Sequence, residues 1–120
     1  MGWKCFIVTS RTGNIQKKSA LHWAWKFIVN KGIPIERHNL FSSQNKSKLN
    51  ICHSIEASVL LDDDYEKLEP VLDHGILGYL FNTATNTFVE REHKPFRAKR
   101  IRNWPELVES LRTLEMENDL

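Results

Sequence analysis

Four short apolar runs alternate along the chain with segments whose apolar residues repeat at helical spacing. The runs predict strands at 3–9, 35–41, 58–61 and 76–81, and the helical pattern covers 15–31, 48–55, 65–73 and 103 to about 114. Alternating strands and helices predict parallel strands joined by crossovers, with helices on both faces of the sheet. The predicted fold class is therefore α/β: a three-layer sandwich with a mainly parallel four-stranded sheet and a Rossmann-like core.

Length and composition limit the number of domains and the cell compartment. The chain has 120 residues and no linker-like stretch, so we expect one domain over 1–114 and a flexible acidic tail at 115–120. No apolar run approaches the roughly 20 residues of a membrane span, which predicts no membrane insertion. The two cysteines form no disulfide framework, and this favours the cytoplasm. A net charge of +2 is too small to name a partner.

Three consecutive carboxylates, Asp62, Asp63 and Asp64, directly follow the apolar run at 58–61. Open α/β sheets bind ligands at the carboxyl ends of their strands, and Mg²⁺ prefers oxygen ligands of this kind. Acids in the first turn of a helix are also favoured, because they complement the helix dipole and cap its free N–H groups. The sequence therefore leaves two interpretations open, a metal or phosphate site and a helix N-terminus.

Three segments occur in an order that resembles a known enzyme family. Residues 6–11 form an apolar strand ending in Thr9 with Arg11 nearby, Lys48 stands at a predicted helix start, and residues 59–63 form an apolar strand ending in paired acids. Lys48 precedes Asp62 by 14 positions. Together these segments resemble motifs two, three and four of the haloacid dehalogenase-like (HAD-like) hydrolases, in particular the nucleotidase subgroup. The resemblance spans residues 4–112.

The resemblance implies phosphoryl transfer by a nucleophilic Asp with Mg²⁺ as cofactor. On this basis Thr9, Ser10 and Arg11 would contact the phosphate of a nucleotide or similar ligand, and Lys48 would offset its negative charge. Thr9 and Lys48 would be the family-like catalytic positions. Asp62 and Asp63 would hold the metal, directly or through water.

The first motif of the family, Asp-x-Asp-x-Thr or Val after an apolar strand, has no counterpart in this sequence. Met1 lies eight residues before Thr9, which leaves no room for it. The run at 62–64 contains Asp-x-Asp after a strand, but Glu66 stands where Thr or Val is expected. Without the nucleophile no aspartyl-phosphate can form. We therefore expect a truncated or degenerate HAD-like core that does not hydrolyse phosphate esters by itself.

A basic stretch at 91–102 offers a different function. It holds six cationic side chains, one acid and an aromatic ring. Such a stretch is typical of phosphate-backbone contacts with a base stacked on the ring, and equally of a solvated loop before a helix. The candidate nucleic-acid contacts are Arg91, Lys94, Phe96, Arg97, Lys99, Arg100 and Arg102.

These observations leave three functional hypotheses. The first is a non-catalytic HAD-like module that binds a protein partner or a second copy of itself and keeps a weak Mg²⁺ or phosphate site. An exposed tryptophan of the predicted first helix, Trp23 or Trp25, would anchor the partner. The second is a nucleotidase-type phosphohydrolase part, completed by a missing N-terminal segment or another chain. The third is a small nucleic-acid-binding protein that uses residues 91–102.

Overall fold

A computed structural model describes residues 3–9, 14–15, 18–43 and 47–118. The chain divides into two compact units, Met1–Ile55 and Glu56–Leu120, called unit 1 and unit 2 below. Within the described residues, no helix combines the length and the apolar character needed to cross a membrane. The expectation of a single domain over 1–114 stays a prediction.

The described part of unit 1 combines short strands with two α-helices and a turn of 3₁₀ helix at Arg37–Asn39. Strand β1 (Ile7–Thr9) pairs in parallel with β4 (Leu40–Ser42), and β2 (Asn14–Ile15) pairs antiparallel with β3 (Lys18–Ser19). Helix α1 (Ala20–Asn30) follows β3, and α2 (Leu49–Ser54) follows β4. Among the described residues of this unit, the buried apolar side chains are Ile28, Leu40 and Cys52.

Helix α1 begins five residues later than the sequence predicts. The expected helix at 15–31 starts at Ala20, because residues 14–15 and 18–19 pair with each other and Ser19 caps the helix. The Ser19 hydroxyl accepts a hydrogen bond from the backbone N–H of His22 at 3.1 Å. The predicted end is confirmed, since Gly32 adopts a φ of +65° just beyond the helix.

Unit 2 is a parallel three-stranded sheet with helices between its strands. Its elements in chain order are β5 (Val59–Asp62), α3 (Tyr65–Leu72), β6 (Leu77–Phe81), α4 (Val89–Glu92), β7 (Lys99–Ile101) and α5 (Trp104–Asn118). The strand order is β5-β6-β7, and both pairings are parallel. Buried Tyr65, Leu68 and Leu80 form the core, and Leu60, Leu72, Val89, Phe96 and Ala98 pack against them.

Neighbouring residues of β6 contact different helices. A side chain at Gly78 would come within 2.8 Å of the Leu72 side chain on α3, so only glycine fits there without a shift. The next residue, Tyr79, accepts a hydrogen bond at its hydroxyl oxygen from Ser110 Oγ on α5, at 3.4 Å. Because side chains alternate along a strand, α3 and α5 cover opposite faces of this sheet.

The predicted single sheet of four strands requires correction. All four expected strands form, but β1 and β4 pair in one sheet while β5 and β6 belong to another that also contains β7. Strand β7 was not predicted as a sheet member, because Lys-Arg-Ile carries little apolar signal. Helix α5 continues to Asn118, so residues 115–118 of the expected flexible tail are helical, and 119–120 lie outside the described residues.

Candidate functional site

The carboxylates at 62–64 form a tight turn between β5 and α3. Asp62 Oδ1 accepts a hydrogen bond from the backbone N–H of Asp64 at 3.1 Å. Asp64 Oδ1 in turn accepts one from the N–H of Glu66 at 3.1 Å and caps α3. The helix N-terminus interpretation is therefore confirmed for Asp64, whose carboxylate satisfies an N–H group that the helix leaves free.

Asp63 is the member of this turn whose ionisation the fold disfavours. Although Asp63 is an exposed residue, its pKa is raised above the ordinary Asp value, first by partial desolvation of the carboxyl group, then by a side-chain hydrogen bond to Asp62 and by the negative charge of Asp62. Two adjacent carboxylates that repel each other are suited to a divalent cation, and Mg²⁺ is commonly held by one or two carboxylates with water completing its shell.

Asn86, a buried polar residue in the loop after β6, fastens this turn to the neighbouring strand. Its side chain is 4% exposed, and its amide Nδ2 donates to the carbonyl oxygens of Asp63 at 2.9 Å and Phe81 at 2.8 Å. Its Oδ1 accepts from the N–H of Thr83 at 3.0 Å. The backbone at the carboxyl ends of β5 and β6 is thus held by one amide group.

Arg100 of β7 extends the network to the third strand. Its Nε and Nη2 donate to the two carboxylate oxygens of Glu90, both at 2.6 Å, and Nη1 donates to Asn86 Oδ1 at 3.0 Å and to Asn82 Oδ1 at 2.6 Å. The hydrogen bonds from Arg100 lower the pKa of Glu90. A paired, two-point contact of this kind is geometrically specific, so it ties the segment between β6 and the end of α4 to β7.

Sequence reasoning missed Asn86 and Glu90 altogether. Asn82 to Asn86 is a polar stretch directly after the apolar run of β6, which is the same pattern that drew attention to Asp62–Asp64. Because carboxyl ends of parallel strands share one edge of a sheet, that signal could have placed the two loops together. The pairing of Arg100 with Glu90 had no such signal.

The basic stretch at 91–102 is engaged largely within unit 2. Arg97 Nη1 lies 2.7 Å from Asp73 Oδ1, Arg102 Nη1 lies 3.6 Å from Glu106 Oε1, and Arg100 binds Glu90 as described. Phe96 stacks on the core ring of Tyr65, with 5.1 Å between ring centroids. The guanidinium of Arg91 covers the Phe88 ring at 5.0 Å, and Lys94 and Lys99 are exposed. The nucleic-acid role of this stretch stays a prediction.

The other family-like positions belong to unit 1. Thr9 ends β1 opposite Ser42 of β4, and its carbonyl oxygen accepts a hydrogen bond from the N–H of Ser43 at 2.9 Å. Lys48 immediately precedes α2, as predicted for a lysine at a helix start. Ser10 and Arg11 lie outside the described residues. Thr9 and Lys48 are in unit 1 and the acids in unit 2, so their common pocket stays a prediction.

Unit 2 also carries an open groove of about 460 Å³ between α5 and strands β6 and β7. Leu77, which is 44% exposed, and Leu114 contribute apolar surface to it. Its charged lining comes from Glu106, Glu109, Glu117, Arg97 and Lys99. The protein-binding role expected from the sequence stays a prediction.

No group of three or more His, Cys, Asp or Glu in the described part of the chain is placed to hold a metal ion. The structure defines the protein as an α/β protein with parallel strands. No protein-family model matches the chain, and comparisons with curated proteins and with solved structures also give no match. The HAD-like assignment therefore stays a prediction from the motif resemblance.

Proposed function

We propose that this chain is a HAD-like α/β module of three layers that binds Mg²⁺ weakly at Asp62 and Asp63 and does not hydrolyse phosphate esters by itself. The observation that carries this proposal is the pair of consecutive carboxyls at the end of β5, where partial desolvation and the neighbouring Asp62 raise the pKa of Asp63. Two carboxylates supply fewer ligands than a tight metal site, so water or a phosphate ligand would complete the coordination. Weak binding follows from this small ligand set.

The surrounding network supports this assignment. The turn that carries the two carboxyls is held by Asn86, and Asn86 is held by Arg100. The acids are therefore presented on a fixed backbone at the edge where open α/β sheets bind ligands. Mg²⁺ there would offset the repulsion between the carboxylates and the charge of a bound phosphate.

The test is thermal unfolding of the full chain at neutral pH with and without Mg²⁺. A ligand at ten times its Kd stabilises the folded state by about 1.4 kcal/mol. We expect Mg²⁺ at such a concentration to raise the free energy of unfolding of the unmodified chain by this order. Asp63→Asn should remove the response to Mg²⁺. Asp73→Asn makes the same chemical change elsewhere in unit 2 and should leave the response intact.

Two results would contradict the proposal. One is an equal response to Mg²⁺ in the unmodified chain and in Asp63→Asn. The other is Mg²⁺-dependent hydrolysis of nucleoside monophosphates by the purified chain that Asp62→Asn abolishes, which would make the carboxylates catalytic and favour the phosphohydrolase hypothesis.

A further inference from the structure

The near-neutral charge of the whole chain conceals opposite charges on its two units. Unit 1 contains nine Lys and Arg residues and a single acid, a formal charge of +8. Unit 2 contains eight Lys and Arg residues and fourteen acids, a formal charge of −6. A concentration of positive charge in one part of a chain is the electrostatic feature expected of a surface that binds a polyanion.

The cations of unit 1 cannot be neutralised by acids of the same unit. Glu36 is the only acid there, and its carboxylate lies 3.2 Å from Nε2 of His38. In unit 2, by contrast, Arg97, Arg100 and Arg102 each lie within 4.0 Å of a carboxylate. Charge that is not balanced locally attracts counterions, and releasing them favours binding to phosphates.

Helix α1 places an aromatic ring among these cations. Phe27 is 58% exposed, and the Lys31 ammonium lies 5.8 Å from its ring centroid. Lys26, which directly precedes Phe27 in the chain, is also exposed. An exposed ring beside cations is the arrangement that proteins use to stack an unpaired base while contacting the adjacent phosphates.

We propose that unit 1 binds single-stranded nucleic acid, with Phe27 stacking on a base and with Lys26 and Lys31 contacting phosphates. The proposal is independent of the Mg²⁺ site, because it uses residues of the other unit. It also differs from the use of residues 91–102, where three of the four arginines pair with acids of unit 2. RNA and single-stranded DNA share the chemistry that recognises them, and the experiment distinguishes the two.

Binding is measured with the full chain by fluorescence anisotropy, using labelled RNA and DNA single strands of about 20 nucleotides and a duplex of the same length. We expect the single strands to bind more tightly than the duplex, with an affinity that falls as salt rises from about 50 to 300 mM. Tighter binding of one single strand would identify the sugar that the site prefers.

Two variants of α1 test the named residues. Phe27→Ala should weaken single-strand binding about 5- to 150-fold, the usual effect of losing one stacked base. Lys26→Ala combined with Lys31→Ala should reduce the slope of log affinity against log salt by about 1.4, because each phosphate contact on a single strand contributes about 0.7. The three side chains are exposed, so the fold should tolerate both changes.

Unit 2 supplies a matched control. Phe88 is 56% exposed, and the Arg91 guanidinium lies 5.0 Å from its ring, so this pair copies the local geometry of Phe27 and Lys31 within an acidic unit. Phe88→Ala should leave the affinity unchanged. Equal losses in Phe27→Ala and Phe88→Ala, or binding that does not depend on salt, would overturn the proposal.

A basic surface can also bind an anionic membrane or a second copy of the chain, and two parallel measurements test these alternatives. Binding to vesicles containing an anionic phospholipid without binding to any oligonucleotide would assign unit 1 to a membrane surface and overturn the proposal. Self-association that the Lys26→Ala, Lys31→Ala variant abolishes, without oligonucleotide binding, would assign it to a second copy of the chain and overturn it equally.

Discussion

The pairs Phe27–Lys31 and Phe88–Arg91 have similar local geometry and opposite surroundings. Each joins an exposed ring to a cation, at 5.8 Å in unit 1 and 5.0 Å in unit 2. Unit 1 has one acid to balance nine cations, whereas unit 2 has fourteen acids for eight. A basic run is thus informative only together with the acids around it. The run at 91–102 is conspicuous in the sequence, yet most of its arginines already have partners.

The two units also differ in their cores, and a core substitution should have the largest effect. Leu68 is fully buried between Tyr65 and Leu80 in unit 2. Leu68→Ala should lower the free energy of unfolding by about 2–5 kcal/mol, because it removes buried apolar surface and leaves a cavity. Chemical denaturation measures this. Leu77→Ala, at an exposed position of β6, should change stability by less than about 1 kcal/mol. Equal effects would remove the distinction between a packed core and a groove.

The polar network of unit 2 should give an intermediate effect. Asn86→Ala leaves the carbonyls of Asp63 and Phe81 and the guanidinium of Arg100 each without one partner. We expect a loss of about 1–3 kcal/mol in the free energy of unfolding, the penalty for unsatisfied buried polar groups. Asn82→Ala removes one contact from an exposed side chain and should be milder. A larger effect for Asn82→Ala would show that Asn86 does not organise the loop.

The smallest effects on stability should come from Glu90 and Asp63, whose substitutions should change the free energy of unfolding with opposite dependences on pH. The pKa of Glu90 is lowered by Arg100, so its ionised form stabilises the fold. The advantage of the unmodified chain over Glu90→Gln should be complete above the unfolded-state pKa of about 4.3 and fade as pH falls through the lower folded-state value. A difference in stability between the unmodified chain and Glu90→Gln that stays constant across acidic pH would contradict the stabilising role of ionised Glu90.

Asp63 should behave in the opposite sense, because its pKa is raised by partial desolvation and by Asp62. Ionising it therefore opposes folding, and Asp63→Asn should be more stable than the unmodified chain at neutral pH without Mg²⁺. This advantage should grow as pH rises through the folded-state pKa and disappear below the unfolded-state value of about 3.9. Thermal unfolding over a pH series measures both differences. Lower stability of Asp63→Asn at neutral pH would contradict the repulsion between the carboxyls.

Elements with a strong apolar signal were predicted closely, and those formed by pairing were not. Strands β5 and β6 and helices α2 and α3 lie within one residue of the expected limits at each end. Strand β4 occupies residues 40–42 instead of 35–41, because residues 37–39 form a turn of 3₁₀ helix. Strand β7 has one apolar residue that is buried, Ile101, and it exists because it pairs with β6.

In the candidate site, too, the features that depend on local sequence could be predicted and those that depend on contacts between distant residues could not. The position of the carboxylates after β5 and of Lys48 before α2 could be predicted, since each depends on a boundary between neighbouring segments. Asn86, Glu90 and Arg100 could not be predicted as a network, because the hydrogen bonds that join Arg100 to Glu90 and Asn86, and Asn86 to Asp63, span 10 to 23 positions. Sequence periodicity carries no information about such pairs.

The sequence alone determined the α/β class, the order of most elements and the formal charge of each segment, because these depend on local apolar spacing and residue type. Tertiary structure decided which strands pair, which carboxyl ends share an edge and which cations meet an acid. Those outcomes depend on distances between residues that are remote in the chain, which local apolar spacing and residue type do not specify.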